Sequence, residues 1–153
     1  MSRRVLVAVL GIGLLAPMAA SAALNFNIGF DPATVCPGNS VSFLFDLVNV
    51  GAQPSNVTLS VTFSYNGMQF GPFTGNFPMA AGQEFSQELP LMVPPFVPAG
   101  TLSITATATD QDGPVTSTAS LEIQNCGNKV AAGVSAKPLV NNVTRMLRQL
   151  GAH

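Results

Sequence analysis

The stretch that decides the fold is Val57-Thr58-Leu59-Ser60-Val61-Thr62-Phe63-Ser64-Tyr65-Asn66-Gly67. Five apolar residues, Val57, Leu59, Val61, Phe63 and Tyr65, alternate with four hydroxyl residues. A period of two puts the apolar set on one face of a β-strand and the hydroxyls on the other. Asn66-Gly67 follows at once. Both residues tolerate positive φ, which a tight type I′ hairpin demands at its two central positions. A strand followed by a return strand is therefore expected, with the return beginning around Met68 to Phe70.

The same alternation runs outward in both directions. Towards the start, Val41, Phe43, Phe45 and Leu47 share a face, and so do Leu24, Phe26, Ile28 and Phe30. Towards the end, Phe85, Gln87, Leu89 and Leu91 form a weaker strand. Leu102, Ile104, Ala106 and Ala108 form a clear one, and Val115, Ser117, Ala119, Leu121 and Ile123 another. Asp112-Gly113 turns the chain between the last two. Roughly seven strands with turn signals between them predict an all-β, immunoglobulin-like β-sandwich. Glycine (14) and proline (12) supply the turns.

The first 22 residues have another texture. Arg3 and Arg4 precede an apolar run from Val5 to Leu15, and Ala20-Ser21-Ala22 is a small-residue cleavage pattern. This is the build of a secretory signal peptide over residues 1–22, cut after Ala22. The apolar run is too short to cross a bilayer. Export, to the periplasm or the cell surface, is expected, with the sandwich over 23–126 as the mature body.

Two cysteines fit that expectation. In such a sandwich the turn after the first strand and the end of the last strand meet at one pole. Cys36 lies in the first and Cys126 closes the second, so a Cys36–Cys126 disulfide is predicted for an oxidising compartment.

Charge excludes several functions. All seven acidic residues lie within 23–126, and no lysine or arginine does. A body without cations has no surface for phosphates, so nucleic acid is not an expected partner. The single histidine is His153, which leaves no imidazole for a nucleophile pair in the body. No phosphate loop or zinc-type spacing occurs. No catalytic residue, cofactor or enzymatic activity is expected. Asp110-Gln111-Asp112-Gly113 opens like a calcium loop, but position 12 is Leu121 rather than a glutamate. Asp110 and Asp112 thus give only a weak hint of a metal.

The turn motifs carry a resemblance. Val35-Cys36-Pro37-Gly38, Val48-Asn49-Val50-Gly51, Ala81-Gly82-Gln83 and Val97-Pro98-Ala99-Gly100-Thr101 resemble those of bacterial Ig-like modules. The nearest type is the cell-adhesion-related (CARDB-like) domain, over about residues 24–126. The resemblance implies a binding or structural role in protein–protein or cell-surface contacts. The alternatives are a subunit of a pilus-like or adhesive surface polymer, or a small-ligand or carbohydrate-binding module.

Two candidate interaction segments remain. The uncharged run after the hairpin contains Phe70, Phe73 and Phe77, which either lid the core or form a sticky surface. Residues 127–153 read as a small-residue linker and a basic tail. Leu139, Val143, Met146, Leu147 and Leu150 share one helical face, and Arg145 and Arg148 lie on the other. Three fates are open to this amphipathic segment. It packs on the acidic body, binds a membrane surface or partner groove from outside, or stays disordered. A detachable element, dispensable for folding of the sandwich, is the expectation.

Overall fold

The computed structural model describes residues 23–127 and 135–153. The expected signal peptide and most of the expected linker lie outside them. Among the described residues eight strands form in order: β1 (Leu24–Asp31), β2 (Thr34–Val35), β3 (Ser40–Asn49), β4 (Ser55–Tyr65), β5 (Met68–Met79), β6 (Glu84–Met92), β7 (Gly100–Asp110) and β8 (Gly113–Ile123). One helix, α1 (Lys137–Gln149), follows.

The strands make two sheets, ordered β1-β3-β6 and β2-β8-β7-β4-β5. The predicted sandwich is present, with two changes. The first strand switches sheets: β1 pairs antiparallel with β3, while the two residues of β2 pair parallel with β8. The expected short return strand is also 12 residues long. It lies at a sheet edge, where Pro72 and Pro78 need not donate to a neighbour on both sides. Where Gly71 adds a residue, the register shifts between Val61 and Phe63. Only glycine takes the φ of +107° found at Gly71 without strain.

Period-two alternation fills the core as expected. Val57, Leu59, Val61, Phe63 and Tyr65 are all buried against Phe43, Phe45, Leu47, Leu102, Ile104 and Leu121. Phenyl rings tie the two sheets together. Phe26 meets Phe45 at 5.3 Å between centroids, Phe45 meets Phe85 at 5.8 Å, and Phe85 reaches Phe77 on the opposite sheet at 5.6 Å. Edge-to-face and tilted pairs at these distances add to the area they bury.

The outer face of the five-stranded sheet carries hydroxyls instead. Thr58, Ser60, Thr62 and Ser64 lie opposite Thr109, Thr107, Thr105 and Ser103, and the last three lie opposite Thr116, Thr118 and Ser120. Thr107 and Thr116 are hydrogen-bonded at 2.9 Å. β-branched threonine suits such a solvated, pleated surface.

α1 takes the first of the three fates open to the tail. Leu139, Val143, Met146, Leu147 and Leu150 are all buried in the same core cluster as the strands. The helix lies beside β6, where the Asn142 side chain donates to the Met92 carbonyl at 2.9 Å. Pro138 occupies its first turn, where a missing N–H costs nothing. Its end is a Schellman motif. Gly151, at φ +85°, donates to the Arg148 carbonyl and Ala152 to the Leu147 carbonyl. That turn buries Ala152 and brings the His153 backbone to Thr74 of β5. The two residues exchange both hydrogen bonds, at 2.9 and 3.0 Å. The tail therefore closes the open side of the sandwich instead of hanging from it.

Candidate functional site

One pole of the sandwich gathers the β2–β3 turn, the β4–β5 hairpin, the β6–β7 connection and the end of β8. The hairpin is the expected type I′ turn: Asn66 and Gly67 have φ of 49° and 81°. The Gly38 N–H donates to the Val93 carbonyl and the Val93 N–H to the Asn39 carbonyl, at 2.8 and 2.9 Å. Cys36 and Cys126 are bonded, with Cα atoms 5.7 Å apart, as the strand order requires.

Tyr65 anchors the hairpin from below. Its ring is fully buried, and its hydroxyl donates to the Pro98 carbonyl. Burial pushes the Tyr65 phenol above its ordinary pKa, against a smaller downward pull from the Asn66 side chain. The folded state thus holds the phenol proton more tightly than the unfolded chain. Its contribution to stability is complete below the ordinary tyrosine pKa and fades as pH rises through the raised value. Tyr65→Phe is expected to cost about 1–2 kcal/mol, because it leaves the part-buried Pro98 carbonyl without this donor. It should also remove this alkaline slope. Tyr65 is the only tyrosine and there is no tryptophan, so ultraviolet absorbance follows the titration directly. An ordinary titration midpoint in the folded wild-type protein would contradict the reading.

Three large apolar side chains stand in solvent at this pole, Phe96 on the β6–β7 connection, Met92 at the end of β6 and Met68 at the start of β5. Phe96 is 67% exposed, Met92 54% and Met68 49%. The sequence reading missed Phe96 and Met92. A signal was present: Pro94, Pro95 and Pro98 surround Phe96 and forbid a central strand there, so this phenylalanine had to lie on a loop.

The opposite pole is built around Asn49, the asparagine of the Asn-Val-Gly motif. Its side chain is fully buried. Its amide donates to the Gln53 carbonyl at 2.8 Å and the Ala80 carbonyl at 3.1 Å, and its oxygen accepts from the Gly51 N–H at 3.0 Å. The motif is therefore a clamp between two loops as well as a turn. Asn49→Ala would strand all three backbone partners and is expected to destabilise by about 2–4 kcal/mol. Chemical denaturation checks this, and a loss below that of an ordinary surface substitution would refute the clamp.

The two residues of the weak metal hint lie at this pole. The Asp110 carboxylate is engaged by the Asp112 N–H at 2.9 Å and the Ser55 hydroxyl at 3.2 Å. Among the described residues no group of three metal-ligating side chains forms.

The other candidate interaction residues fall differently. Phe70, Phe73 and Phe77 point inward from β5, half-buried, and Phe70 and Phe73 stack on Phe63 at 5.0 and 5.9 Å. They lid the core. Leu139, Val143, Met146, Leu147 and Leu150 are core residues in this structure, and only Arg145 and Arg148 of the tail's candidates face solvent. Nothing brings the phenylalanines and the arginines into one site.

Among solved structures the chain is similar to the alkylpurine DNA glycosylase AlkC of Pseudomonas fluorescens bound to DNA, with a TM-score of 0.50 at 14% identity. The match covers 69% of this chain and 32% of that one, so this chain spans about a third of the glycosylase's length. A CARDB domain from Pyrococcus furiosus in complex with di-metal ions matches at TM-score 0.46 and 16% identity, over 67% of this chain and 92% of that one. The ASH/PapD-like domain of human CEP192 matches at 0.40 and 16%, over 82% and 98%. At these identities the likeness is one of fold alone. No protein-family model matches the chain, and no curated protein matches it.

Proposed function

We propose that this chain is an exported, non-enzymatic Ig-like module that binds a protein of the cell envelope through its disulfide pole. The observation that carries the reading is the exposure of Phe96 on the β6–β7 connection and of Met92 and Met68 at the adjoining strand ends, at a pole held by the cystine, the Tyr65 anchor and paired backbone bonds. Rigid apolar anchors in solvent raise affinity because little ordering is left to do on binding. The signal-peptide pattern over residues 1–22 and the pairing of both cysteines support an oxidising compartment outside the cytoplasm. Loop-borne recognition on a sandwich scaffold is a common division of labour.

The test is capture of envelope proteins on the immobilised mature chain, beside a Met92→Asp/Phe96→Asp variant with an unchanged melt. A partner held by the wild type and lost by the variant supports the proposal. Equal capture by both moves recognition away from this pole.

A further inference from the structure

Beside its buried stripe, α1 turns a second one to the end of β6. Asn142, Arg145, Met146 and Gln149 fall at i, i+3, i+4 and i+7, so they share one side of the helix. Together with Pro90, Leu91 and Met92 they line an open cleft of about 290 Å³. That is close to the lower bound of about 300 Å³ for small-molecule sites.

The cleft has an apolar floor and a polar rim. Leu91 and Met146 are buried beneath it, and the exposed Pro90 and Met92 extend the apolar surface towards solvent. The Asn142 amide donates to the Met92 carbonyl at 2.9 Å. A strand residue turns its N–H and carbonyl to the same side, so the Met92 N–H also faces α1. Val93, the next residue, faces β3 instead, where it exchanges bonds with Gly38 and Asn39.

Arg145 brings the only charge among the described residues that line the cleft, and none of them is acidic. The guanidinium, the Met92 N–H and the Gln149 amide are all donors. Donors grouped around one cation suit an anion, and a planar carboxylate matches the guanidinium fork. The floor beneath them suits hydrocarbon. A dianion such as phosphate is opposed by the seven acidic residues of the body and leaves that floor uncovered.

We propose that this cleft binds a small monocarboxylate with an apolar body, its carboxylate on Arg145 and its body over Leu91, Met92 and Met146. A free organic acid and the C-terminal residue of a peptide share this chemistry. The proposal does not rest on the one for the disulfide pole. Met92 belongs to both and stays intact in every variant used here.

Calorimetric titration of the full mature chain with phenylbutyrate is the test, and one saturable site per chain is expected. Arg145→Gln should weaken binding by about 10–100-fold, the effect of losing a charged hydrogen-bond partner, with the melt unchanged. Arg148→Gln should leave binding as it is, because Arg148 faces solvent outside the cleft. Phenylbutanol and inorganic phosphate should bind at least about tenfold more weakly than the acid. An acetylated tripeptide ending in phenylalanine, with a free or an amidated end, tells the two sources apart. Preference for the free-ended peptide over phenylbutyrate supports the proposal with a peptide end as the source, and the reverse supports it with a free acid. No binding of either carboxylate, equal binding of the alcohol or of phosphate, or binding indifferent to Arg145→Gln overturns it.

Discussion

A chain that stops at Gly127 is expected to melt about 10–20 °C below the full mature chain and to bind an apolar dye before it unfolds. The helix supplies Leu139, Val143, Met146, Leu147 and Leu150 to the common core. Cutting a single buried leucine to alanine costs about 2–5 kcal/mol. Losing the whole face costs at least that, because five core side chains go together and Phe77, which lies beside Gly151, loses that neighbour. The two sheets and the cystine survive the cut, so the shortened body should still fold, in a weakened and sticky form. Circular dichroism melts of the two chains make the comparison. Coincident melts would mean that α1 stands apart from the folding unit.

The second large effect belongs to the cystine. Replacing Cys36 and Cys126 together by alanine is expected to lower stability by about 3–5 kcal/mol. The bond joins residues 90 apart in sequence, so it removes much of the freedom of the unfolded chain. It also ties β2 to the end of β8 at a place where only two residues pair. Denaturant midpoints of the wild type under oxidising and reducing conditions, beside the double variant, measure the effect. Reduced wild type and double variant should coincide, well below the oxidised protein. A midpoint indifferent to reduction would refute it.

Much of this architecture was legible in the chain. Alternation from Val57 to Tyr65 and from Leu102 to Ala108 reports one buried face per strand, and the structure buries those residues. Asn66-Gly67 set the hairpin, and the strand order set the cystine. From sequence β5 looks shorter than it is, because Gly71, Pro72, Gly75 and Pro78 interrupt its pattern. An edge strand with a bulge tolerates those residues, and only the sheet order reveals that it is an edge. The two residues of β2 are too few to carry a period. The stripe on α1 gave the helix and its face, but an apolar stripe does not name what covers it. In the sequence Asn49 signals only a turn, because its three partners converge only once two loops are folded against each other.

The backbone pairing of Thr74 with His153 has a consequence for how this molecule behaves in a crowd. β5 is a long, uncharged edge strand, the kind that recruits strands from neighbouring molecules and seeds aggregates. Thr74 turns its N–H and carbonyl outward, so Asn76 and Pro78 do the same, two and four residues on. His153 occupies the first of these, and Pro78 has no N–H to offer, nor does Pro72 at the bulge. Between the bulge and Met79, Asn76 is left as the lone outward donor. One donor cannot hold a foreign strand in register. A protein nearly half of whose residues are hydrophobic and only 8% charged has little electrostatic repulsion to keep its copies apart. Its protection against fibre growth along this edge is written in two prolines and a tail.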